Sequence, residues 1–146
     1  MIRVMSLEAE RGGSPSVEAA ILAVVIGVLI AFVIAGGRLV TVEAVTDHAA
    51  RSASRVASLH RDAASAQSAA ESTARQILDG QDIRCTALTV RIDTSGFATP
   101  LGQPASVTAT VRCDVDWSDL GLPGASGGRS VEASFTSPID RWRERA

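Results

Sequence analysis

The sequence predicts an α+β chain: a long N-terminal helix, transmembrane in its first part and amphipathic in its second, followed by a small three-stranded antiparallel sheet. Three observations predict it. Residues 17–37 read VEAAILAVVIGVLIAFVIAGG and carry no charge after Glu18. Residues 39–79 are rich in Ala and contain neither Pro nor Gly. From 84 to 137 the chain turns to Thr- and Val-rich stretches of alternating polarity, separated by loops with Gly and Pro.

The apolar stretch comes first. At ~1.5 Å rise per residue, helical residues 19–37 extend roughly 30 Å, the thickness of a bilayer core. A stretch so long and apolar reads as a transmembrane helix at 17–37, preceded by a short polar segment at 1–13. A secretory signal has a shorter apolar core, although Val33-Ile34-Ala35 offers the small residues a signal peptidase needs, which would leave a secreted domain. Within the span Ala19, Ala23, Gly27, Ala31 and Ala35 recur every four residues. Such a ridge of small side chains lets helices approach closely in lipid, where van der Waals contact replaces the hydrophobic drive.

Arg38 closes the span and an amphipathic helix is expected to continue over 38–80. Val42, Ala49, Val56, Ala63, Ala70 and Ile77 lie seven apart, a narrow heptad seam. Glu43, Asp47, Arg51, Arg55, Arg61, Asp62, Glu71 and Arg75 populate the other face. The expectation is one nearly continuous helix of about sixty residues, with Gly36-Gly37 as a place to bend and Gly80 as the left-handed C-cap.

Segments 86–92, 107–117 and 131–135 read as strands of a small β domain at 84–137, with a solvated tail at 138–146. Val107, Ala109, Val111, Cys113, Val115 and Trp117 share one face of the second strand, and Leu88, Val90 and Ile92 one face of the first. Two cysteines beyond a membrane segment suggest a disulfide, Cys85–Cys113. Cys85 has the parity opposite to Leu88, so it is expected before the strand or at a bulge, where it can turn inward.

Composition narrows the function. The net charge of −2 supplies no basic field for nucleic acid. His48 and His60 stand more than three helical turns apart. Asp114, Asp116 and Asp119 lack the Gly and Glu of a calcium loop, because Asp119 and Ala125 occupy those places. No serine has a nucleophile-elbow context, and no Gly-rich phosphate loop precedes a helix. The chain reads as a non-enzyme with no metal and no cofactor.

The N-terminal half carries a recognisable pattern. Arg11-Gly12 stands before the span, Val17-Glu18 at its start, Gly37-Arg38 at its end, and Ala49-Ala50-Arg51 with a second small/Arg repeat reaching Arg55 follows. Over roughly residues 11 to 60 the chain resembles TadE-like proteins, minor pilins or pseudopilins of tight-adherence (Tad) type IV pili. The resemblance implies a prepilin leader cut between Gly13 and Ser14, which makes Glu18 the fifth residue of the mature chain. Two departures stand out: Ala19 follows the Glu where major Tad pilins have Tyr, and the new start would be Ser14-Pro15. The resemblance also implies a cytoplasmic N-terminus and an external sheet. Membrane lipid, major and minor pilins, Tad assembly platform proteins and a prepilin peptidase would be its partners. Glu18 would then be the assembly residue. A carboxylate in lipid costs about 2.5–3.5 kcal/mol at the bilayer centre, less near its edge, and pairing with an α-amine of its own or a neighbouring subunit would offset that cost. The rival is an interfacial Glu stabilised by the helix dipole, in an uncleaved membrane-anchored extracellular binding module.

Overall fold

A computed structural model describes residues 15–121 and 124–142. Helix α1 runs unbroken over Pro15–Ser58 and α2 over Ala63–Gly80. Strands β1 (Ala87–Asp93), β2 (Ala105–Asp116) and β3 (Gly128–Ile139) form one antiparallel sheet in the order β1-β2-β3, and a short 3₁₀ turn at Ser95–Ala98 lies between β1 and β2. The long apolar helix followed by a three-stranded antiparallel sheet is the α+β architecture the sequence predicts.

The expected sixty-residue helix is in fact two helices. It breaks at 59–62 without Gly or Pro. The N–H groups of Leu59 and His60 bond to Val56 and Ala57 carbonyls three residues back, so α1 tightens and stops. Asp62 then caps α2: its Oδ1 accepts from the Ser65 N–H at 2.8 Å and its Oδ2 from the Ser65 hydroxyl at 2.6 Å. Residues Ala49, Ala50, Ala53 and Ala57 of α1 and Ala66, Ala70, Ala74 and Leu78 of α2 share one buried cluster. Only small side chains allow two helices and a sheet to converge this closely. The heptad seam does not survive the break, since Ala63 is exposed and Val56 only half-buried. Gly36 and Gly37 lie inside continuous α1 and end nothing.

The stop of α2 also differs in detail. Gly80 is the last helical residue, and the left-handed position falls to Asp82, at φ 53°. The Ile83 N–H reaches the Leu78 carbonyl and the Asp82 N–H that of Asp79, a Schellman closure with Asp82 where glycine is commonest.

The helices cover one face of the sheet. Val107, Ala109, Val111, Cys113 and Val115 of β2 are buried beneath them, with Val131 and Ile139 of β3. The other face is polar, with Thr108 bonded to Thr136 and Thr110 to Ser134 across β2 and β3. Strand β3 is longer than the segment 131–135. It includes Ser137, Pro138 and the buried Ile139, so the tail expected from 138 begins later. Pro138 is tolerated because β3 is an edge strand. Ser137 is buried and its hydroxyl meets that of Ser54 on α1 at 3.0 Å. Gly96 is required where the 3₁₀ turn crosses β2: a Cβ there would lie within 2.1 Å of the Ser106 carbonyl oxygen.

Candidate functional site

The feature that sets this chain apart from an ordinary small domain is the first half of α1. Val17, Ile21, Leu22, Val24, Val25, Ile26, Val28, Leu29, Ile30, Phe32, Val33 and Ile34 are all exposed, Phe32 at 64% and Val33 at 75%. Fully burying a side chain of this kind contributes about 1.5–3 kcal/mol, so leaving twelve of them half or more exposed forgoes on the order of 10–20 kcal/mol, comparable to the whole stability of a typical domain. A core helix hides its apolar surface in its own fold, and this one hides almost none. It is long and apolar enough to cross a membrane.

Pro15 opens the helix, where its missing N–H costs nothing, and Glu18 lies exposed in the first turn, favourably placed against the helix dipole. The proposed cut at Gly13 and Ser14 lies outside the described residues. Of the five small residues, Ala19, Ala23 and Gly27 are exposed, Ala31 is half-buried and Ala35 is buried. The head accounts for the covered end. Gly121 lies beside Ile34, whose Cγ2 would be 3.6 Å from a Cβ at that position, and Arg38 Nη1 donates to the Asp119 carbonyl at 2.9 Å. Among the described residues, nothing beyond the helix's own backbone comes within 4 Å of where a side chain at Gly27 would begin. The same uninterrupted helix occupies 33–36, where a signal peptidase would have to cut.

Cys85 lies just before β1 and is joined to Cys113, with Cα atoms 5.2 Å apart. Cys113 stands opposite Leu88 in the register, so the partner cysteine reaches it from outside the regular ladder. The bond ties the α2–β1 connection to the fully buried side of β2, beside Val42, Val115 and Leu120. Along the outer side of α1, Arg51 pairs with Asp47 at 2.7 Å and stacks over Phe135 at 4.8 Å, while Arg129 of β3 approaches Glu43 at 3.6 Å. These pairs are exposed, and each contributes at most about 1 kcal/mol. The Asp62 carboxyl is held below its usual range by the Ser65 hydroxyl and then the Ser65 N–H. Asp93 is lowered by the N–H and hydroxyl of Ser95.

The sequence did not point to a groove of about 510 Å³ where the head meets the end of the apolar stretch. Arg38, Asp82, Arg84 and Asp119 line it. Arg38 and Asp119 lie 81 residues apart in the chain; the sequence marks Arg38 only as the close of the span and Asp119 only as part of an incomplete calcium pattern. Asp114, Asp116 and Asp119 do not converge, and no group of three or more metal-ligating side chains occurs among the described residues.

Fold and surface together define a class: a single apolar helix, long enough to span a bilayer, carrying a small disulfide-bonded α+β head on its C-terminal half. Within that class, residues 13–55, most of α1, match the family described as TadE-like protein. The matched part is a little under a third of the chain, and α2 and the sheet lie outside it. No curated protein and no solved structure matches the chain.

Proposed function

We propose that this chain is a minor pilin or pseudopilin that takes part in assembling, priming or regulating a Tad-type pilus or secretion machine. The observation that carries the reading is the division of α1. Its TadE-like helix is bare over its apolar half and packed by its own head over the other half. Such a helix has its intramembrane surface, including Ala19, Ala23 and Gly27, available to other helices. Glu18 is the residue through which assembly would act: an isolated chain holds its carboxylate at the bilayer edge, and a neighbouring subunit's α-amine would neutralise it. The N-terminus then faces the cytoplasm and the sheet faces outward, with a leader removed between Gly13 and Ser14. The role is structural rather than catalytic.

The test compares wild-type and Glu18→Ala chains in cells making the whole machine, by site-directed crosslinking from Gly27 and by pilus yield. The expected result is normal membrane insertion with loss of crosslinks to other pilins and of surface pili. Unchanged crosslinking and yield in the variant would refute the assembly role. Intact mass of the membrane-extracted chain reports processing independently, with a start at Ser14 expected.

A further inference from the structure

The groove at the foot of the head has an unusual charge pattern. Arg38 and Arg84 supply two cations, Asp82 and Asp119 two anions, all exposed and all lining the same space. Yet none of the four belongs to an ion pair among the described residues; the pairs there are Asp47–Arg51, Arg112–Asp114 and Glu43–Arg129. Arg38 spends one N–H on the Asp119 carbonyl, and a guanidinium has five. That bond fixes its head beside the groove. Asp82 is fixed as well, by the Schellman closure that holds it at φ 53°.

The height of the groove follows from the span. Residues 19–37 cover the hydrocarbon thickness at ~1.5 Å each, so Arg38 stands at the level of the lipid phosphates on the head's side. Ile34, one turn lower, lies 3.6 Å from where a Cβ at Gly121 would be, so the 118–121 turn reaches down beside that level too. With two charges of each sign, the groove presents no net field to attract an anionic lipid. It offers separated partners for a ligand that is itself both anion and cation.

We propose that the groove holds the headgroup of an ethanolamine phospholipid from the leaflet on the head's side. The phosphate accepts hydrogen bonds from Arg38 and Arg84, and the primary ammonium donates to the Asp82 and Asp119 carboxylates. A choline headgroup has a cation without N–H donors, and a glycerol headgroup has no cation, so both leave the carboxylates unmatched. The proposal rests on α1 crossing the membrane and is independent of any role in a pilus.

The test uses the full chain in detergent and native mass spectrometry with dioleoyl phosphatidylethanolamine, phosphatidylcholine or phosphatidylglycerol at equal concentration. Retention of the ethanolamine lipid is expected to exceed that of the other two by about tenfold, the factor of one charge-assisted hydrogen bond. Asp82→Asn keeps a residue that tolerates the left-handed backbone and is expected to lower ethanolamine retention to the choline level. Arg84→Ala is expected to lower retention of all three, whereas Arg91→Ala on the open sheet face changes none. Equal retention of the three lipids, or a preference that survives Asp82→Asn, overturns the proposal. So does equal retention of soluble glycerophosphoethanolamine, which would remove the membrane as the source. Flotation with liposomes tests the membrane crossing separately: a chain that floats and shows no headgroup preference refutes the groove alone.

Discussion

Removing the Cys85–Cys113 bond is the perturbation whose size the fold fixes best. The bond closes a sequence separation of 28, and the chain-entropy model gives about 3.5 kcal/mol for a loop of that length. The head it stabilises is small and its helix–helix contacts are mostly Ala on Ala, which bury little area per residue, so other sources of stability are modest. Cys113 is fully buried between Val42, Val115, Leu120 and Val131, and truncating it adds a loss in the same direction. For a head of this size, 3.5 kcal/mol converts to a fall in Tm of about 15–25 °C. The assay is thermal unfolding of the full chain in detergent, followed by the fluorescence of half-buried Trp117, in a Trp142→Phe background that removes the exposed indole. The Cys85→Ala/Cys113→Ala variant is compared with the intact chain. A difference under about 3 °C would refute the reasoning, because it would mean that the packed Ala cluster holds the head without the crosslink.

Two further outcomes follow from polar contacts. Ser54→Ala leaves the buried Ser137 hydroxyl without its 3.0 Å partner and is expected to cost about 1–3 kcal/mol, while Ser54→Ala/Ser137→Ala recovers part of that loss; urea unfolding of the four chains measures it, and strictly additive losses would count against a coupled pair. Asp62 gives a pH dependence. Its folded-state pKa lies below the ordinary 3.8, so the ionised cap stabilises the fold; the contribution is present in full above 3.8 and is lost as pH falls through the lower folded value. Asp93 acts in the same sense. The drop in Tm between pH 5 and pH 2.5 is expected to shrink in Asp62→Ala, and an unchanged drop would assign the acid sensitivity to other carboxylates.

How much of this was legible in the chain depends on how local the cause is. The apolar span announces itself by length, and the sheet by alternation, because each residue's environment there repeats with a fixed period. Parity also placed Cys85 outside the regular strand. What escaped is set by contacts between distant residues or by a cap in disguise. Asp62 counts as one more charge on a polar helix face until its carboxylate is seen on the Ser65 N–H. Asp82 takes a backbone conformation that the sequence assigned to Gly80, two residues earlier. Ser137 breaks the apolar rhythm of β3, and only its partner Ser54, 83 residues away, explains why a polar residue is buried there. The groove is illegible for the same reason: Arg38 meets Asp119 across 81 residues.

The small-residue ridge and the head-bearing face of α1 share Ala35, and their geometry decides where a neighbouring helix can sit. A step of four residues on a helix of 3.6 per turn advances about 40° around the axis. The ridge therefore winds: Gly27 is rotated about 80° from Ala35, and Ala19 about 160°. The head packs on α1 at Ala35, Val42, Thr46, Ala49, Ala50, Ala53 and Ala57, where steps of three and four alternate and hold one direction. A helix seated in the exposed row Ala19–Ala23–Gly27 thus lies to the side of the head, not under it. It also crosses α1 at an angle, as helices packed along four-residue rows do, so the two diverge towards the head. The winding leaves one end of the helix closed by its own head and the other end open to a neighbouring helix. The bare end is the half with Glu18 at its tip, so on the proposed reading the assembly contacts and the charge that would drive them fall on the same segment.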